Sequence, residues 1–257
     1  MTDEQKNKVH PESNQHTEPM NEENETFVHG QLLCLLAEPD KVEVGVDRNQ
    51  DYNSIEKLTI PAHICHEGKD YEVVGIAGGG CALLSSLREV VIEEGVQYIG
   101  DEGFLLCEAL QEIELPDSMV WIGEKAFSYL RSLIHIALPP QIRTLSAFLF
   151  SFSEHLAAVS LPKGLQVIDG AAFDGCSRLQ FIDLESLTQL TFIGNFAFSE
   201  CTSLTRIDLP ENLTYLGDYA FRGCTSLREF YLPEGIVQIG EHVWEGCNAV
   251  EIYKYME

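Results

Sequence analysis

Positive charge is scarce in this chain. Of its 257 residues only 16 are Lys or Arg, against 41 Asp or Glu, and the net charge is −25. Nucleic-acid phosphates and anionic lipid surfaces are held through clustered Lys and Arg, so this composition argues against both as partners. Long apolar runs are missing as well. No stretch approaches the roughly 18 consecutive apolar residues that cross a bilayer as a helix, so membrane insertion of that kind is not expected. The first 26 residues hold seven acidic residues and no apolar h-region of a secretory signal. The expectation is a cytoplasmic protein, with the cell surface or secretion as the alternative if a signal has been trimmed. Such a segment cannot bury enough surface to offset its ordering entropy, so residues 1–26 read as a disordered acidic tail.

Signatures of chemistry are also lacking. Gly78-Gly79-Gly80 is a lone glycine run with no GxGxxG or GK[ST] behind it. His63, Cys65 and His66 in HICHEG stand at spacings that match no zinc site and read as a cap loop. Asp47, Asn49, Asp51 and Asn53 mimic the early ligands of a calcium loop, but the sixth position lacks Gly and the twelfth is Leu58 rather than Glu. No histidine can be paired with a nucleophile. The expectation is a protein that is not an enzyme and takes no cofactor and no metal.

What the chain has is a repeat. Leu87, Leu110, Leu133, Leu156 and Leu179 follow one another at 23 residues, Leu204 comes after 25, and Leu227 and Val250 resume the interval of 23. Pro116, Pro139, Pro162, Pro210 and Pro233 keep the same phase, as does the column Ile99, Ile122, Leu145, Ile168, Ile193, Leu216, Ile239. An aromatic column is unbroken: Phe104, Phe127, Phe150, Phe173, Phe198, Phe221, Trp244. In LTRIDLP, Ile207 and Leu209 lie two apart on one face, which predicts a short strand ended by Pro210. In LGDYAF, Leu216, Ala220 and Phe221 are four and five apart, which predicts a brief helical turn. One 23-residue unit is too small to fold alone, so the units must stack and share a core, as in a solenoid.

The strand LxxIxLP followed by xxLxxIGxxAFxGCxSL resembles the bacterial BspA-like leucine-rich repeats, and IPAHICHEGKDYEVVGI resembles the N-terminal cap common among them. The resemblance implies an α/β repeat solenoid, with a parallel sheet on the concave face, short helical turns on the convex face and an N-terminal β cap. It also implies non-catalytic binding of other macromolecules, often at the cell surface. The division expected is a tail at 1–26, a hairpin cap with a degenerate first coil at 27–86, and the solenoid at 87–257.

Cys107, Cys176, Cys201, Cys224 and Cys247 share one phase, which Leu130 and Ser153 fill in two coils. That column needs compactness rather than thiol chemistry, and its cysteines read as structural. The strand positions left facing outward are Glu89/Val91, Glu112/Glu114, His135/Ala137, Ala158/Ser160, Phe181/Asp183, Arg206/Asp208, Glu229/Tyr231 and Ile252/Lys254. Aromatic residues on an otherwise polar sheet are where a partner anchors. His135, Phe181, Asp183, Arg206, Asp208 and Tyr231 are therefore the candidate binding residues, for a protein or glycan ligand. Self-association through the C-terminal edge strand is the alternative.

Overall fold

A computed structural model describes residues 25–248 and 250–254. The expected 1–26 tail lies outside the described residues, apart from Glu25 and Thr26. Three strands open the fold: β1 (Thr26–His29), β2 (Leu32–Glu38) and β3 (Lys41–Val46), each antiparallel to the last, with Pro39 and Asp40 at the β2–β3 turn. β4 (Lys57–Ile60), β5 (His63–His66) and β6 (Lys69–Ile76) follow. β5 is antiparallel to β6, and Phe27 stacks on His66 at 4.1 Å, so HICHEG is built into the cap. Asp47, in the calcium-like stretch, accepts hydrogen bonds from Asn49 and Gln50 and so closes its own turn.

Beyond β6 each coil delivers two strands. One coil gives β7 (Glu89–Ile92) and β8 (Tyr98–Ile99), and the next gives β9 (Glu112–Glu114) and β10 (Trp121–Ile122). Then come β11 (His135–Ala137) with β12 (Thr144–Leu145), and β13 (Ala158–Ser160) with β14 (Val167–Ile168). The coil carrying the two-residue insertion gives only β15 (Phe192–Ile193). After it stand β16 (Arg206–Asp208), β17 (Tyr215–Leu216), β18 (Glu229–Leu232), β19 (Gln238–Ile239) and β20 (Glu251–Lys254). All pairing between coils is parallel. The first ladder runs β4-β7-β9, β11-β13 and β16-β18-β20; the second runs β3-β6-β8-β10 and β12-β14-β15-β17-β19.

The expected helical turns are not there. The only helix among the described residues is a 3-10 turn at Tyr52–Ser54, outside the repeats. Leu216 belongs to a two-residue strand, while Ala220 and Phe221 lie in stacked turns. The reason is in the backbone. Every coil enters the left-handed region twice, four residues apart, as at Lys125 and Tyr129, Phe148 and Phe152, Phe196 and Glu200, or Tyr219 and Gly223. A right-handed helix cannot pass through such residues. The N–H groups between them alternate their acceptors. Those of Phe196, Phe198 and Glu200 reach the Asp218, Ala220 and Arg222 carbonyls of the next coil, at 2.9, 2.8 and 2.7 Å. Those of Ala197, Ser199 and Cys201 close turns three residues back in their own coil. The third side of each coil is therefore a column of turns sewn to its neighbours, and the architecture is β-solenoid rather than α/β.

The core is a set of continuous columns. Phe104, Phe127, Phe150, Phe173, Phe198 and Phe221 are fully buried, with ring centroids 5.1–6.1 Å apart in sequence along the stack. Offset stacking of this kind adds to the area each ring buries. Beside them the cysteine thiols reach back one coil. Cys176, Cys201, Cys224 and Cys247 donate to the carbonyls of Phe150, Phe173, Phe198 and Phe221 at 3.1–3.2 Å. Ser153 makes the same bond to Phe127 at 2.8 Å and accepts from the Leu130 N–H at 3.0 Å. The column thus favours a small donor, sulfur being the usual one and Leu130 the exception. All eight cysteines are free. Burial pushes the Cys34 thiol up to about 11 and that of Cys107 to about 12, and raises Cys176 and Cys201 also. Thiols held protonated in this way are poor nucleophiles.

A candidate binding surface on the first ladder

Alternation along each strand of the first ladder turns one residue inward and its neighbours outward. In β16 Ile207 is buried while Arg206 is exposed; in β18 Phe230 is buried and Glu229 and Tyr231 are half-buried. Parallel register places Arg206 beside Glu229 and Asp208 beside Tyr231, then Tyr231 beside Tyr253 of β20. Residues far apart in sequence become a compact group.

Arg206 is its centre. Its Nε donates to Asp208 Oδ2 at 2.7 Å, its Nη1 stands 3.9 Å from Glu229 Oε2, and its guanidinium carbon lies 5.0 Å from the centroid of the Tyr231 ring. The bond to Asp208 raises the arginine pKa further above its ordinary value. Tyr231 stacks on Tyr253 at 5.0 Å, and the Tyr253 hydroxyl donates to Glu251, which pushes that phenol up to about 12. The Asp208 side chain is only 13% exposed, and its Oδ1 is buried with no hydrogen-bond partner. Unpaired buried acceptors cost stability, and native structures keep few of them.

The remaining predicted residues lie elsewhere. Phe181 is 60% exposed and Asp183 is exposed, but both sit in the insertion coil where no strand of the first ladder forms. Asp183 instead accepts from the Ser186 N–H at 3.2 Å, closing a local turn. His135 is exposed on β11, with Nε2 3.3 Å from Ser160 Oγ on the next coil. The structure therefore gathers Arg206, Asp208 and Tyr231 and leaves Phe181, Asp183 and His135 apart.

Two features escaped the sequence reading. Tyr253 completes the aromatic pair, and the phase of Tyr231 plus one coil, allowing for the one-residue drift of β20, was the available signal. On the turn side, Phe148, Phe152 and Phe196 are exposed, with Tyr129 stacked on Phe152 at 5.1 Å and Phe196 on Tyr219 at 4.9 Å. The strings FLFSF and FAF announce them two residues either side of the buried column.

Among the described residues no helix is long and apolar enough to cross a membrane, and no three His, Cys, Asp or Glu side chains gather as a metal site. Stacked coils with leucine, isoleucine and phenylalanine columns, opening on LxxIxL or a close variant of it, define a leucine-rich repeat solenoid. The model of the BspA type leucine rich repeat region, in six copies, matches residues 81–191 and again 148–256, and the chain belongs to that family. Its proteins are generally non-catalytic. The fold is similar to that of the leucine-rich repeat protein of T. pallidum, 24% identical with a TM-score of 0.61, over 89% of this chain and 88% of that one. A leucine-rich repeat protein from Bacteroides ovatus ATCC 8483 is 23% identical with a TM-score of 0.50, over 89% of this chain and 70% of that one. No curated protein matches the chain.

Proposed function

We propose that the chain is a non-catalytic binding module that presents the outward face of its first ladder to a protein or glycan. The carrying observation is the group at Arg206: a guanidinium held over Tyr231 by Asp208, beside the Tyr231–Tyr253 stack. A pre-positioned arginine next to stacked, partly exposed rings supplies both directional donors and flat apolar area, the combination that dominates binding energy at protein interfaces. Phe181 and His135 are exposed on other coils, away from this group. In pull-downs from the source cells followed by titration of the captured ligand, Arg206→Ala with Tyr231→Ala is expected to weaken binding at least tenfold while the melting temperature stays within a few degrees. Unchanged affinity removes the claim for this face.

A second reading has its own observation. Among the described residues β20 pairs with β18 alone, and its own Ile252 and Tyr253 are exposed. An edge strand of this kind can pair with another copy. Sedimentation at high concentration reads this directly, a pure monomer being the contrary result. The compartment is read by protease treatment of intact cells, where protection supports the cytoplasm and loss of the chain supports the surface.

A further inference from the structure

Both ladders stop at the same interface. Between the coil of residues 110–132 and the coil of 133–155, β9 does not pair with β11, nor β10 with β12. One coil further on the bonds are in place: Ala157 N–H to Ile134 O at 2.8 Å, Gln166 N–H to Arg143 O at 2.8 Å, and Asp169 N–H to Leu145 O at 2.9 Å. The equivalent donors at the seam are Ile134, Arg143 and Ser146, and among the described residues their N–H groups meet no backbone acceptor. A groove of about 790 Å³ opens there, lined by Glu112, Glu114, Ile134 and His135, with Ile134 63% exposed.

The turn side, by contrast, is fully sewn. Lys125, Phe127 and Tyr129 donate across the seam to Ala147, Leu149 and Ser151 at 3.1, 3.0 and 2.9 Å, as their counterparts do at other interfaces. On the other two sides side-chain bonds replace the backbone ladders, Gln141 Nε2 donating to Asp117 O at 2.7 Å and Ser146 Oγ to Ile122 O. The turn column is thus the side with continuous backbone bonds and supplies an axis about which to turn.

Ser146 accounts for the opening. Its position in the coil is glycine at 100, 123, 194, 217 and 240, where successive coils nearly touch. A Cβ at Gly123 would stand 2.4 Å from Asp101 N, and one at Gly217 2.4 Å from Asn195 N. At each of these glycines the N–H donates to the carbonyl of the preceding coil, as Gly123 does to Ile99 at 2.8 Å. Ser146 Oγ takes the Ile122 carbonyl instead, a side chain competing with its own backbone. Asp169 fills the same position but aims its carboxylate forward to the Gly170 N–H, and its backbone bond survives.

We propose that the seam is a hinge, about which the blocks 25–132 and 133–254 swing on the turn side, opening and closing the ladder face between Glu112 and His135. A ligand spanning both blocks would set the angle between them.

Two measurements on the full chain test this. Residue-resolved amide exchange is expected to run at least ~100-fold faster at Ile134, Arg143 and Ser146 than at Ala157, Gln166 and Asp169, because the first three lack ladder bonds. Equal protection at the paired sites overturns the proposal. Movement is read by Glu112→Cys with His135→Cys in a Cys65→Ser background. A closed ladder brings coils to about 4.8 Å, within the roughly 4.4–6.8 Å between Cα atoms that a disulfide spans. Mild oxidation is expected to trap that bond, as it traps the control His135→Cys with Ala158→Cys, whose residues are already in register. A control that forms while the seam pair does not describes a fixed gap and overturns the hinge. Ser146→Gly is expected to slow exchange at positions 143 and 146 at least tenfold; unchanged rates remove Ser146 as the cause.

Discussion

The solenoid is interrupted twice, and the two interruptions differ in kind. At the insertion coil the first ladder is lost over Phe181–Asp183, but β14, β15 and β17 pair without a break, so two of three sides still hold the stack. At the 132/133 seam both ladders are lost, and among the described residues the backbone bonds that cross are those of the turn column. An added pair of residues loosens one strand and leaves the coil spacing intact. At the seam the repeat length is unchanged, and the proposed cause is one serine at a glycine position. Asp169 at the same position keeps its ladder bond, so what separates the two interruptions is a side chain that takes the neighbouring carbonyl, not the loss of glycine alone.

That contrast can be strained from several directions. The largest effect is expected in the ring column. Phe198 is fully buried between Phe173 and Phe221, and Phe198→Ala is expected to cost about 3–5 kcal/mol in denaturant unfolding. A loss under about 1 kcal/mol would mean the columns do not carry the stack. Next comes Gly194→Ser, aimed at the ladder that rescues the insertion coil. A Cβ there would stand 2.6 Å from Gly170 N, so about 1–3 kcal/mol is expected to be lost and the bond to Ile168 O released. Amide exchange at position 194 as slow as in the parent would show that glycine is dispensable. A smaller effect is expected in the donor column. Ser153 already serves there, so Cys201→Ser is expected to cost about 1 kcal/mol or less and to be milder than Cys201→Ala, which removes the bond to Phe173 O.

The buried thiols also set a pH dependence. Cys34 and Cys107 are raised in the fold from the ordinary 9.0 to about 11 and about 12 by burial. Near and above pH 9 the unfolded chain releases protons that the folded chain retains, so stability is full below that value and declines through roughly pH 9–12. Urea midpoints measured across this range are expected to fall, and a flat profile would contradict the burial of these groups. At neutral pH alkylation of the native protein is expected at exposed Cys65 first, with the buried cysteines reacting only on unfolding.

Much of this fold was legible in the residues because a column repeated through seven coils reports burial directly. Leucine, isoleucine, phenylalanine and proline each announced their phase, and LxxIxL announced its strand. The helical turn was misread because Leu216, Ala220 and Phe221 match a helix face at four and five residues. Gly175, Gly223 and Gly246, recurring four residues after the first left-handed position, were the sign against it. Within the repeats the second ladder stayed hidden since its strands there are two residues long, too short to show alternation. Of the binding candidates, Arg206, Asp208 and Tyr231 came from the outward phase of the strand and met as parallel register requires. Phe181 had the same phase, but phase cannot report that its coil forms no strand of the first ladder.

The most direct measurement of the binding role compares two faces of one molecule. Ligands captured from the source cells would be titrated against the parent chain, the ladder-face variant Arg206→Ala/Tyr231→Ala and the turn-side variant Phe148→Ala/Phe196→Ala. Loss of at least tenfold in affinity for the first variant alone is the expected result. Parent-like binding by the first with loss in the second would move the site to the opposite side of the solenoid and contradict the role given to the Arg206 group.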